Sequence, residues 1–420
     1  MSLYEIADGL LDTHVTWQDI EYDIQKALNT TARFGDNKKV TNISEMKGFL
    51  SRISLIEPDW VGGATDEQLP DKFVAKLSTE LALYDFSKIT HSDDNKGWNE
   101  EKMKSMTIMV QECHNREVEM YRILMRENMS GLPFTKIYSL KSFDENNQLK
   151  AYILSEYIPN IHHIDIHENI SYIDIIPVLE CLATFSSMGE RMNKEELDGL
   201  IGEVYIEEAI KYLYCESSPK ELKNQLLEIL SSDYEEVIDE AMDIFELICS
   251  NEKIQKRYST MSTFLGHRPV LQHSDVWTAN MLFSDSTSST NSLEFKALID
   301  FQTASLGSPG LDVSSLFITC LSKMDRRDKF DQLINHYYTT FINNLDEKTI
   351  YPYSIDNLYD SYNLCFIPSA IFMLPFIVSF AKKSGENIPT SSIEKMIGII
   401  EDVVDIHRIN TTKYPGFFDI

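Results

Sequence analysis

Apolar residues recur at helical spacing at Ile6, Leu10 and Leu11 and again at Ile20, Ile24 and Leu28, with Thr16 placed to cap a helix opening at Trp17. From Phe49 to Trp60 the pattern changes to alternation, which predicts a strand. The run Lys72-Phe73-Val74-Ala75-Lys76-Leu77 predicts another. Glu80 to about Ile89 reads as a helix, followed by a polar loop, Ser92 to Gly97, and a long helix from about Asn99 to Asn128. Gly131–Leu140 and Ala151–Ile158 read as two strands of a hairpin closed by the polar turn Phe143–Lys150. Beyond Ile170 the spacing is helical at 177–192, 205–214, 222–231 and 234–264. Short strands then flank a Ser/Thr/Asn-rich loop, Ser284 to Ser292. Helical spacing returns at 326–345, 355–383 and 390–407, and no internal repeat is visible.

A chain of 420 residues exceeds the size at which one core stops growing, so two lobes are expected. The order of elements, strands with a few helices and then a long helical block, predicts an α+β chain. The division falls near Tyr157, giving an N-lobe at 1–157 and a C-lobe at 158–420. The formal charge of −28 repels phosphate backbones, and no Lys/Arg run reverses it, so nucleic acid is not an expected partner. Six scattered cysteines, with no C-x-x-C, read as buried thiols in a reducing compartment. Acidic residues Glu5, Asp8 and Asp12 interrupt what would be a signal core, so a cytoplasmic location is expected. Ser361 to Ala381 carries no charge and approaches bilayer-spanning length, but contains Asn363, several serines, Pro368 and Pro375. A buried, proline-kinked core helix is the expectation there, rather than a membrane span.

The stretch His273-Ser274-Asp275-Val276-Trp277-Thr278-Ala279-Asn280 carries the pattern H-x-D-x-x-x-x-N and returns at once to apolar residues. In such a phosphotransferase loop Asp275 would orient and deprotonate an attacking hydroxyl, and Asn280 would hold a metal. Leu298-Ile299-Asp300-Phe301-Gln302 delivers a second candidate ligand, Asp300, from an apolar strand. Two such ligands suit Mg2+, which keeps waters and bridges phosphates. Lys76 must leave a buried face toward something charged, unless its strand lies at a sheet edge and both lysines face solvent. Its candidate partner is Glu117, which shares a helix face with Tyr121 and Leu124; Glu112 and Glu119 compete. The strand end at Glu156-Tyr157-Ile158-Pro159 could present backbone around Glu156 and Ile158 to an adenine ring. His162, His163 and His167 cluster without a completing Cys or carboxylate group, which favours a solvated linker over a metal site. Neither G-x-G-x-x-G nor G-x-x-x-x-G-K-[ST] occurs, which removes dinucleotide and P-loop readings. Any phosphate-covering turn is expected between about residues 30 and 60.

His273 to Phe283, with Ile299-Asp300-Phe301-Gln302 and Gly307-Ser308-Pro309-Gly310-Leu311-Asp312, resembles the choline kinase and aminoglycoside phosphotransferase superfamily. Trp277 and the Asp-Phe-Gln element resemble its ecdysteroid-kinase-like branch. The runs Met46 to Trp60 and Glu112 to Glu119 are similar to a nematode-type group there. The resemblance spans roughly residues 40 to 410. It implies a protein-kinase-like two-lobe fold, with a small antiparallel-sheet N-lobe and a larger, mainly helical C-lobe. It implies ATP and Mg2+ as cofactors and a small-molecule hydroxyl as acceptor. Asp275 matches the base, Asn280 and Asp300 the magnesium ligands, Lys76 the phosphate-contacting lysine and Glu117 its partner. His273 matches a residue bracing the loop, and Asp312 a structural anchor. Three features depart from the pattern: Ser274 stands where relatives usually have Gly, Gln302 replaces the Gly of protein kinases, and no Gly-rich loop is present. The rival reading is a pseudokinase that binds nucleotide or ligand without turnover. Oligomeric state and the acceptor's identity are not legible.

Overall fold

Thr16 caps the first helix with a reciprocal box. The Asp19 N–H donates to Thr16 Oγ1 at 3.3 Å and the Thr16 N–H to Asp19 Oδ2 at 2.9 Å, satisfying donors that a helix start leaves over. This computed structural model describes residues 2–44, 50–64, 68–84, 100–213, 218–285, 292–383, 385 and 387–418. The fold is α+β, in two units, the first built on a small antiparallel sheet and the second mainly helical: Met1–Arg126 with Phe134–Asn160, and Glu127–Pro133 with Ile161–Ile420.

The first unit holds α1 (Trp17–Leu28), β1 (Arg33–Phe34), β2 (Lys39–Asn42), β3 (Ser51–Glu57), β4 (Trp60–Val61), β5 (Phe73–Ser78), α2 (Glu100–Glu127), β6 (Ile137–Lys141) and β7 (Tyr152–Glu156). Five strands form an antiparallel sheet in the order β2-β3-β5-β7-β6, so β5 is its central strand. Lys76 therefore lies between Ile53 and Ile153, not at an edge. Strand alternation sends Phe73, Ala75 and Leu77 into a core with Ile56, Tyr152 and Leu154, closed by Ile20 and Ile24 of α1. Lys76 belongs to the opposite alternate set.

Three expectations in this unit change or pass from view. Ile6 to Leu11 is not an α-helix: only a 3-10 turn, Leu10–Asp12, forms, with Leu11 and Asp12 in left-handed backbone and Ile6 exposed. Of the helix expected over 80–89, residues 81–84 are helical and 85–89 lie outside the described residues, as does the 92–97 loop. The link between β2 and β3, within the region expected to hold a phosphate-covering turn, lies outside them at 45–49, including Phe49.

The second unit holds β8 (Ile161–His162), α3 (Tyr172–Met188), α4 (Lys194–Asp198), α5 (Tyr205–Leu213), α6 (Ser218–Ile229), α7 (Glu235–Ser250), α8 (Glu252–Tyr258) and α9 (Met261–Leu265). Then come β9 (Val270–Gln272), β10 (Met281–Asp285), β11 (Leu293–Leu298), β12 (Ser305–Gly307), α10 (Gly310–Cys320), α11 (Lys323–Asp328), α12 (Phe330–Asn343), α13 (Ile355–Lys383), α14 (Thr390–Lys413) and α15 (Pro415–Phe418). The small sheets are β11-β10-β8 and β12-β9. Residues 286–291 of the Ser/Thr/Asn-rich loop, and Tyr214 and Cys215, lie outside the described residues.

Several boundaries differ from the periodicity. The stretch 234–264 is three helices, because Asn251 leaves helical geometry and caps α8, its Oδ1 accepting the N–H groups of Lys253 and Ile254, and Thr260, at φ −130° and ψ 19°, separates α8 from α9. The helix expected from Pro177 begins at Tyr172, capped by Ser171, and carries Pro177 within it. Lys329, at φ −105° and ψ 1°, divides 326–345 into α11 and α12.

Helix α10 is buried along its whole length and packs on α13. A Cβ on Gly310 would lie 2.3 Å from the Ser361 carbon and the Tyr362 nitrogen, so only glycine permits this approach. The Gly310 N–H donates to Ser361 Oγ at 2.7 Å, and the hydroxyls of Ser314 and Ser315 meet Ser369 Oγ. The uncharged face of α13 is thus matched by serines and apolar side chains. Among the described residues two helices, 172–191 and 355–383, have the length and mean hydropathy (1.2 and 2.2) of a span. Both are mostly buried by protein, as core helices are.

Candidate active site

The loop after β9 is built on Asp312, in the first turn of α10. Its Oδ2 accepts the His273 N–H at 2.7 Å, its Oδ1 accepts the Ser274 N–H at 2.8 Å, and its own N–H donates to Gln272 Oε1 at 3.2 Å. Burial pushes the Asp312 carboxyl up to about 7, against the two amide bonds that pull it down. His273 is wholly buried, 5.1 Å from the Phe301 ring centroid. Its Nε2 lies 3.0 Å from the Ile299 carbonyl and must donate to it, which leaves Nδ1 to accept the Asp275 N–H at 3.3 Å. Thr303 Oγ1 donates to the His273 carbonyl at 3.0 Å.

Asn280 ends a 3-10 turn, Thr278–Asn280, just before β10. Its Nδ2 donates to both the Asp275 carbonyl and Asp275 Oδ2, each at 2.8 Å, which turns Oδ1 away from Asp275. The Ile299 N–H donates to the Asn280 carbonyl at 3.0 Å and Met281 pairs with Leu298, so the antiparallel pair sets Asp300 beside Asn280. Asp300 has φ +67°, a left-handed turn that ends the strand run. The structure thus gathers Asp275, Asn280, His273 and Asp300 in one loop cluster. An amide oxygen and a carboxylate from adjacent strands form a donor set that suits Mg2+ completed by phosphate and water oxygens.

In the first unit, Lys76 Nζ is 2.6 Å from Glu117 Oε2, with 13% and 2% of the side chains exposed. The competitors Glu112 and Glu119 are exposed, and Glu119 pairs with Arg122 on its own helix. Glu156 ends β7. Its N–H donates to the Lys136 carbonyl at 2.8 Å and its Oε1 accepts the Lys136 N–H at 2.7 Å. The Glu156 amide is therefore committed to the hairpin; Ile158, half-buried, follows beyond the strand end.

The histidine trio disperses: His162 sits 3.5 Å from Asp285, His163 3.3 Å from Asp165, and His167 is buried. No group of three or more His, Cys, Asp or Glu side chains capable of holding a metal occurs among the described residues. Cys181, Cys249, Cys320 and Cys365 are buried free thiols and Cys113 is half-buried. Tyr205, Ser305, Gln272 and Thr303 brace the loop and carry no signal in the sequence, since ordinary hydroxyl and amide side chains far apart in the chain reveal neither partner.

The chain is similar to the uncharacterized kinase-like protein D1044.1 of Caenorhabditis elegans, 23% identical over 353 residues, covering 79% of this chain and 85% of that protein. Among solved structures it is similar to an ethanolamine kinase of Plasmodium vivax (12% identical, 89% and 84% of the two chains, TM-score 0.39). It is also similar to the GDP complex of aminoglycoside 2'-phosphotransferase-IIIa (10%, 93% and 99%, TM-score 0.44) and to a microcompartment-associated aminopropanol kinase (11%, 93% and 97%, TM-score 0.38). At these scores no detail of a site transfers. The sequence profile of the DUF1679 family, described as "Uncharacterized oxidoreductase dhs-27", matches residues 3–411, and the chain belongs to that family.

Proposed function

We propose that the chain is a small-molecule kinase that transfers the γ-phosphoryl group of ATP to an acceptor hydroxyl in the presence of Mg2+. The observation that carries this reading is the Asn280 side chain, which donates at once to the backbone and the carboxylate of Asp275 and so fixes the two functional groups of the loop against each other. In the reaction, Asp275 takes the proton of the acceptor hydroxyl, the hydroxyl oxygen bonds to the γ-phosphorus, and the bond to the β-phosphate bridging oxygen breaks to release ADP. Asn280 and Asp300 would hold the metal, whose charge offsets that on the phosphates. Lys76, kept in place by Glu117, is assigned to the phosphates, and backbone near Glu156 and Ile158 to the base. His273 orients rather than reacts, because both ring nitrogens are engaged.

The family's description speaks of an oxidoreductase, yet no G-x-G-x-x-G fingerprint is present for a dinucleotide. The kinase reading is tested by incubating the chain with γ-labelled ATP, Mg2+ and a metabolite extract, then separating labelled products. Labelled acceptors that vanish with Asp275→Ala support it. A chain that is neither stabilised by MgATP nor labels any acceptor overturns it.

A further inference from the structure

Ser274, directly before Asp275, holds φ +68°, a left-handed backbone disfavoured for any L side chain. Each of its polar groups meets a different element. The amide donates to Asp312 Oδ1 at 2.8 Å, the hydroxyl shares a 2.6 Å hydrogen bond with Ser305 Oγ of β12, and the carbonyl accepts from Tyr205 OH of α5 at 2.7 Å. That carbonyl belongs to the same peptide plane as the Asp275 N–H, which donates to His273 Nδ1 at 3.3 Å. The plane joining Ser274 to Asp275 is thus gripped from both edges. Rotation of this plane would swing the Asp275 carboxylate away from Asn280.

We infer that Tyr205 and Ser305 are positioning residues that hold Asp275 in register through Ser274, which stands where a glycine would adopt the backbone freely but offer Ser305 no hydroxyl. Ser305 is completely buried and lies opposite Gln272 in the β9–β12 pair, so its hydroxyl is fixed by the sheet. Tyr205 opens α5 and reaches the loop through its hydroxyl. The rate consequence rests on Asp275 being the base; the conformational consequence does not.

The test uses the full chain with Tyr205→Phe, Ser305→Ala, Ser274→Ala and Ser274→Gly. The expected result is a fall in kcat of about 10- to 100-fold for Tyr205→Phe, the scale on which a displaced catalytic group loses rate, with KM for MgATP held within about two-fold. Ser274→Ala, which keeps the strain and loses the hydroxyl, is expected to be slower than Ser274→Gly. Hydrogen exchange of the 273–280 amides is expected to quicken by about ten-fold or more in Tyr205→Phe while α10 keeps its protection. Wild-type exchange and wild-type kcat in both Tyr205→Phe and Ser274→Ala would overturn the inference. If the wild-type chain transfers no phosphoryl group but the loop amides still quicken, the positioning role stands and the kinase reading alone falls.

Discussion

Lys76 and Glu117, 41 residues apart, meet at 2.6 Å with only 2% of the glutamate side chain exposed. Central-strand placement takes the lysine out of solvent, and the helix face takes the glutamate out with it. Each charge is thereby compensated by the other.

Truncating one partner leaves the other as a buried, uncompensated charge. Lys76→Met is expected to cost about 3–5 kcal/mol of stability, read from urea unfolding. The double variant Lys76→Met/Glu117→Leu should recover most of that while still failing to bind MgATP as the wild type does. Full nucleotide affinity in the double variant would remove Lys76 from the phosphate site.

Asp275→Asn keeps the side-chain volume and removes the proposed base. Turnover should drop by about 10²- to 10⁴-fold, the usual contribution of general base catalysis, while the thermal shift produced by MgATP survives. Asp300→Asn should instead raise the magnesium concentration needed for half-maximal rate.

Asp312 imposes opposing pH trends. Burial raises its carboxyl from 3.8 to about 7, so across that window the folded chain holds a proton that the unfolded chain has released. Its contribution therefore lowers stability as pH rises from about 4 to about 7, and Asp312→Asn should flatten this slope in pH-dependent unfolding. Only the ionised form offers both oxygens as acceptors to His273 and Ser274. The rate should accordingly climb through the same interval and level off above it, an acid limb that Asp312→Asn would lose.

Gly310→Ala drives a methyl group to 2.3 Å from the backbone of Ser361 and Tyr362. Overpacking against backbone cannot be relieved by a rotamer change, so a loss of about 3 kcal/mol or more is expected from denaturant midpoints. Ser361→Ala, which leaves the Gly310 N–H without its acceptor, should cost about 1–3 kcal/mol.

The sequence was legible where chemistry and periodicity agree. Thr16 capping Trp17, the long helix ending at Glu127, and α13 with its two prolines all follow from spacing and cap residues. The pairing of Lys76 with Glu117 instead of Glu112 or Glu119 followed from which glutamate shares a face with Tyr121 and Leu124, all three of them buried. Illegible features depend on a single backbone angle or on a distant partner. Asn251 breaks a run whose apolar spacing continues across it, and Lys329 does the same by its backbone angles. In the site, the left-handed turn at Ser274 and its grip by Tyr205 and Ser305 combine residues separated by 69 and 31 positions, and no spacing rule reaches that far.

The seam between α10 and α13 has one more outcome. Asp312 rides on α10, and α10 is seated by Gly310 against Ser361, so the placement of the Asp275 loop is inherited from a helix that carries no charge between Ser361 and Ala381. In a saturation scan, the small residues of that seam should score with the reactive ones: their replacement would silence the loop from a distance, and tolerance to change would follow closeness of packing more than nearness to any bound molecule.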